Sequence, residues 1–273
     1  MPITLEDLQS RYDFPAAEAR VAAVVTAACD DPTALVRLLG RYIQWNSGFG
    51  PGVATLAGKI GRQHDLFVDA DEPIAALADR SVHVASYVFD AARDEFDDSA
   101  TRHRDTHRSL GQAVIKGLLA HLAVDAAVLD RPAWLVGLEE RTQRGYGHGT
   151  PDDLRHIGMG LGFHLGSEIL ADEEFSLIDQ TLRAQRPELV QALLRMRVRV
   201  ADHDHPAYYW IGIHSGHGGS VEAEHFAWAV KGVGEAFRYT PPAHHEVLRE
   251  AILAGFDAFC ACHEDFFRQA ATP

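Results

Sequence analysis

An all-α bundle, one domain spanning residues 1–273, is the architecture expected from three features of this chain. Almost every segment repeats its apolar residues at spacings of three and four. Helix-start signals stand at Asp31-Pro32 and at Thr150-Pro151-Asp152-Asp153, the latter a T-x-x-D capping pattern. No series of short alternating strands appears, with RVRV at 197–200 the one weak candidate. In chain order, helices are expected at about 15–29, 32–46, 51–63, 73–95, 103–124, 132–143, 151–183, 187–197, 207–238 and 242–267. Connectors rich in glycine lie at 47–52 (SGFGPG), 144–149 (RGYGHG) and 216–219 (GHGG), and no repeat or low-complexity linker divides the chain.

Composition narrows the function. With 273 residues and 47% hydrophobic residues, the chain can bury a sizeable core. Its 25 basic and 39 acidic residues leave a net charge of −14, which argues against nucleic-acid or anionic-membrane partners, since both select clustered Lys and Arg. The longest apolar run, 21–29, is far short of the roughly 20 residues that span a bilayer. The opening MPITLEDLQS has no basic stretch followed by an apolar core, so no secretory signal is expected. Three cysteines are too few for a disulfide framework. A soluble, cytoplasmic protein is the expectation.

Histidine is over-represented, with 16 in the chain. Some have a plain reading: His203 and His205 in DHDHP as surface loop residues, His244 and His245 at a helix start. Others lie where the helical pattern calls for an apolar side chain. The stripe Ile74, Leu77, Val84, Val88, Ala91 continues to Glu95; His107 begins the stripe Leu110, Val114, Leu118. Glu168 interrupts Leu154, Ile157, Leu161, Leu165, Phe175, Ile178, and His225 shares a face with Glu222, Val221, Trp228 and Ala229. An ionised carboxylate is costly to bury alone, so inward acids are paired, protonated or metal-bound. Glu222-x-x-His225 places both side chains on one helix face, the pairing from which bundle-core di-iron sites are built. Oxygen and nitrogen donors without nearby cysteine suit iron or manganese better than thiolate zinc.

The strings DEFDD and THRSL (94–98 and 106–110), LGSEILADEEFSLID (165–179) and HGGSVEAEHFAWA (217–229) resemble the haem-oxygenase-like di-iron oxidases and oxygenases, over roughly 73–238. The resemblance implies a haem-oxygenase-like bundle with two irons per chain (manganese also suits the donors) held by Glu95, His107, Glu168, His217, Glu222 and His225. Two departures from the family pattern matter. Glu95 and His107 are further apart than usual, so an insertion around 97–101 must loop out, with His103 the competing ligand. Gly218 stands where a histidine is expected, so His217 would reach through a bulge, with His214 the alternative.

The resemblance further implies dioxygen-dependent oxidation of a small amino- or carboxylate-containing metabolite, by N-oxygenation or oxidative C–C cleavage, in specialised biosynthesis. Neither a nucleic acid nor a membrane is an expected partner, and a homodimer stays open. Two other classes compete: a metal-free enzyme on the same fold, such as a thiaminase-like hydrolase or a cofactorless oxidase, and a non-enzymatic metal-binding bundle. The hydrolase would want a pocket cysteine, whereas Cys29, Cys260 and Cys262 lie on terminal helices. PAYYW at 206–210 is either pocket lining or core. Cys260-Ala-Cys262-His263 lacks a second half at zinc spacing. Gly158, Gly162 and Gly166 are expected to permit close helix packing beside Glu168.

Overall fold

Side-chain caps from Thr4, Asp13, Asp31, Thr106 and Asp153 set five of the helix starts. The computed structural model describes residues 3–98, 101, 103–215 and 221–270, without the side chains of 94, 172 and 221–224. Helices α1 (Leu5–Gln9), α2 (Phe14–Cys29), α3 (Pro32–Asn46) and α4 (Phe49–Gly61) come first. Asp31 caps α3 by accepting from the Thr33 N–H, with Pro32 in the first turn. Then come α5 (Ser81–Phe96), α6 (His107–Leu122), α7 (Ala133–Gly145), α8 (Leu154–Gln185) and α9 (Pro187–Arg195). A hairpin of β1 (Arg197–Val200) and β2 (His203–Pro206) precedes α10 (Tyr209–His214), α11 (Val221–Tyr239) and α12 (His245–Ala270). The all-α class holds, with this hairpin the one strand pair among the described residues. None of the described helices is long and apolar enough to cross a membrane.

The structure corrects the expected elements in three places. The helix expected from residue 73 starts at Ser81, where Asp79, just ahead of the N-cap position Arg80, accepts from both the N–H and the hydroxyl of Ser81 (2.8 and 2.6 Å). Ile74 and Leu77 lie instead just before and on a short 3-10 turn (Ala75–Leu77), 55% and 58% accessible, and the α5 stripe begins at buried Val84. The helix expected from 103 starts at His107, with the Thr106 hydroxyl accepting from the Ser109 N–H. The expected 207–238 helix is two, α10 ending at His214 and α11 starting at Val221, on either side of the glycine-rich string.

In the hairpin, Val200 pairs with His203, leaving a two-residue turn of Ala201 and Asp202. Ala201 adopts φ +54°, a left-handed backbone that costs a non-glycine residue about 1–2 kcal/mol.

α8 packs against α12, α2, α11 and α10, and the hydrophobic core gathers around it. Its seam with α12 is very close: a Cβ on Gly162 would lie 1.8 Å from the Ile252 carbonyl oxygen, and one on Gly255 only 1.9 Å from that of Met159. Gly158 meets Ala251, and Gly166 meets Phe259. The contacts advance together along both chains, so the two helices run in the same direction. The glycines expected to permit close packing do so against α12.

Candidate metal centre

Beyond Gly166, α8 turns a polar face toward a cavity of about 220 Å³. Its walls include Glu95 from α5, His107 from α6, Glu168 and Glu174 from α8, His214 from α10 and His225 from α11. Apolar surface comes from Ile43, Val53, Phe175, Trp210 and Phe259, and Arg108 lies at its edge.

The acids and imidazoles meet in pairs. Glu95 Oε1 stands 3.2 Å from His107 Nδ1 across the loop joining α5 to α6, so the two residues belong to different helices. Close approach of α4 leaves little room around Glu95: a Cβ on Gly50 would be 2.9 Å from the Glu95 Cβ. Glu168 lies 3.1 Å from His164 Nδ1, one turn earlier, and 3.7 Å from His225 Nδ1. Burial pushes the Glu168 carboxyl up, yet the imidazoles of His164, His225 and His107 outweigh it and hold the group below the usual carboxylate range. His164 is 1% exposed and neither ring nitrogen makes an aligned hydrogen bond. His214 Nδ1 lies 2.6 Å from the Trp210 carbonyl oxygen, and its ring stacks on Phe175 at 4.6 Å.

A second layer supports the cavity. Tyr42 donates to Glu174 (2.6 Å), whose other oxygen lies 2.9 Å from His263 Nε2, and His263 Nδ1 is 3.3 Å from the Tyr12 hydroxyl. Tyr146 donates to Ser167, and Ser167 to the His164 carbonyl. Burial raises the Tyr146 hydroxyl well above its ordinary value, helped by the charges of Glu168 and Glu95, so it remains protonated. Asp179, fully buried on α8, accepts from Tyr208, Ser215 and Arg183 and ties the α10 region to α8.

The structure thus brings Glu95, His107, Glu168 and His225 to one cavity. His217 and the side chain of Glu222 lie outside the described residues. His214, the alternative to His217, lines the cavity, whereas His103 is exposed and its ring lies tilted against that of His203. Trp210 is the member of PAYYW at the cavity wall, while Tyr208 is core.

Sequence reasoning missed His164, Glu174 and His263. His164-x3-Glu168 was a usable signal, since that spacing puts both on one face; Glu174 was hidden in an acidic string and His263 in Cys260-Ala-Cys262-His263. The surface reading of His203 and His205 is corrected. Both belong to β2, His205 is 1% exposed, and with Asp105 they form the one group, among the described residues, whose three potential ligand atoms all fall within 4.8 Å.

The cavity donors suit a hard or borderline metal ion: carboxylate oxygens and imidazole nitrogens, with the buried His164 ring 3.1 Å behind Glu168. Cys29, Cys260 and Cys262 are buried elsewhere and none lines the cavity. Burial raises all three thiols, Cys262 to about 11, so they stay protonated.

Fold and cavity together define a class: an all-α bundle with a buried, mixed carboxylate–imidazole centre. No protein-family model matches the chain, and no curated protein matches it. Among solved structures, a CADD-like protein of unknown function from Nostoc punctiforme PCC 73102 superposes with a TM-score of 0.46 at 16% identity, over 93% of this chain and 82% of that chain. At that similarity it assigns no function here.

Proposed function

We propose that the cavity is a non-haem di-iron centre of an enzyme that uses dioxygen to oxidise a small amino- or carboxylate-containing metabolite, by N-oxygenation or oxidative C–C cleavage. The observation that carries this reading is the convergence of Glu95, His107, Glu168 and His225, from four helices, on one buried cavity. These four, with Glu222 and either His217 or His214, would hold two irons, and manganese suits the same donors. Bound iron would supply dioxygen activation and electron transfer.

The protein's own residues have separate tasks. Ile43, Val53, Phe175, Trp210 and Phe259 exclude water and bound the substrate's apolar part. Arg108, which donates to the Ser47 carbonyl (3.0 Å), puts a positive charge at the edge that attracts a substrate carboxylate. Tyr42 holds Glu174, and Tyr146 holds Ser167 next to Glu168, so the polar wall keeps its shape when substrate enters.

The test is anaerobic ferrous titration of metal-free protein, followed by dioxygen uptake with a panel of amino acids and fatty acids. Two irons per chain and substrate-dependent uptake, both abolished in His225→Ala, are expected. No iron uptake with any substrate would overturn the reading. The close Glu95–His107 and His164–Glu168 pairs favour a second reading, a metal-free acid–base pocket, because these groups already compensate one another. That pocket would act on substrate with no metal added and after chelation. A thiaminase-like version lacks support, since no cysteine reaches the cavity.

A further inference from the structure

Away from the cavity, Asp105, His203 and His205 bring one carboxylate oxygen and two imidazole nitrogens within 4.8 Å of one another. His203 and His205 alternate along β2, and the period of two puts both on one face. Asp105 comes from the loop ahead of α6. That loop is fixed by the Asp98 N–H donating to the Asp105 carbonyl (2.8 Å) and the Asp105 N–H donating to the Thr101 hydroxyl (3.3 Å).

Three details distinguish this cluster from an ordinary surface ion pair. His205 is 1% exposed and neither ring nitrogen is hydrogen-bonded, with Nδ1 3.6 Å from Asp105 Oδ1; a buried imidazole normally has a partner. His203 places Nε2 2.7 Å from the same Asp105 oxygen while its Nδ1 lies 2.8 Å from Asp202 Oδ1. A carboxylate on the far nitrogen is what fixes the tautomer and aim of a metal-ligating histidine. Finally, Asp98 and Asp105 are both buried, and a buried carboxylate favours a cation beside it.

We propose that Asp105, His203 and His205 form a second site, for a divalent transition metal of the zinc type, separate from the cavity. None of the three lines the cavity. Two imidazoles and one carboxylate are a zinc donor set with a fourth position left for water, which reaches the quarter-exposed His203 side. The ion's role is to pin two approach segments together. Asp105 lies two residues ahead of His107, and the hairpin leads directly into α10, which carries Trp210 and His214. The left-handed Ala201 turn holds Asp202 and His203 in place for it.

The test is zinc titration of chelator-treated full-length protein by calorimetry, with Tm read in parallel, on wild type, Glu168→Gln and His203→Gln. Glu168→Gln disables the cavity donors, so failure of this site and failure of the cavity reading are distinguishable. Wild type and Glu168→Gln are expected to hold this zinc and gain in Tm. His203→Gln, a partly exposed change that spares the fold, is expected to lose it by about 100-fold or more, and Asp202→Asn to weaken it by roughly tenfold. Cobalt substituted for zinc should show visible absorption that His203→Gln abolishes. Zinc binding by His203→Gln equal to wild type, or no zinc retained by Glu168→Gln, would overturn the proposal.

Discussion

The two halves of α8 bury opposite chemistries. From Gly158 to Gly166 the helix lies against α12 through glycines, with backbone almost touching backbone. From Glu168 to Asp179 the same helix buries three carboxylates, Glu168, Glu174 and Asp179, each met by imidazole, hydroxyl or guanidinium groups. The first half tolerates no added atom; the second encloses a cavity and holds charge that apolar packing would not need. Rigid packing at one end of a helix thereby provides a fixed platform for a polar site at the other.

The difference can be measured. Gly162→Val forces side-chain atoms onto the Ile252 carbonyl and is expected to destabilise the fold by about 3 kcal/mol or more in urea unfolding. Asp179→Ala strips the acceptor from Tyr208, Ser215 and Arg183 and leaves buried groups unpaired; a loss of about 3 kcal/mol is expected by the same measurement.

Glu168→Gln keeps the shape of the side chain. Its stability is expected to fall by less than about 2 kcal/mol while cavity iron affinity drops about 100-fold or more. A Glu168→Gln protein as unstable as Gly162→Val would show that both halves serve packing alone. A milder contrast uses Gly137 on α7, where a Cβ meets nothing within 4 Å: Gly137→Ala is expected to stabilise by roughly 0.5–1 kcal/mol through helix propensity.

The smallest effect concerns the half-buried clasp between α1 and α12. Asp7 accepts from Arg249 and from Thr4, and these bonds hold its carboxyl well below the ordinary value. A depressed folded-state value means the clasp is fully present above the unfolded carboxylate pKa of about 3.9 and is lost as pH falls through the folded value. Protection of the α1 amides, taken relative to the intrinsic exchange rate at each pH, should therefore fall only at strongly acid pH in wild type, whereas Asp7→Asn should show the lower protection already at neutral pH.

Much of this was legible in one dimension. The stripes through His107 and Glu168 were read correctly as buried faces because a helix repeats every 3.6 residues and its neighbours follow from the residue list. The glycine spacing in α8 reported its close approach for the same reason. The Glu95 stripe extends too far back, since Ile74 and Leu77 share its spacing by coincidence while the helix itself begins at Ser81. His205 was misread because its burial depends on a hairpin and on a loop about a hundred residues earlier, which local pattern does not contain.

Helix type, the inward acids and the apolar seam follow from periodicity and capping, which act over a few residues and are written directly in the chain. Which acid meets which imidazole is a different matter. Glu95 reaching His107 across a loop, His225 reaching Glu168 from another helix, and Asp105 meeting the hairpin histidines are all set by how the helices pack, because distances between elements depend on the whole core at once.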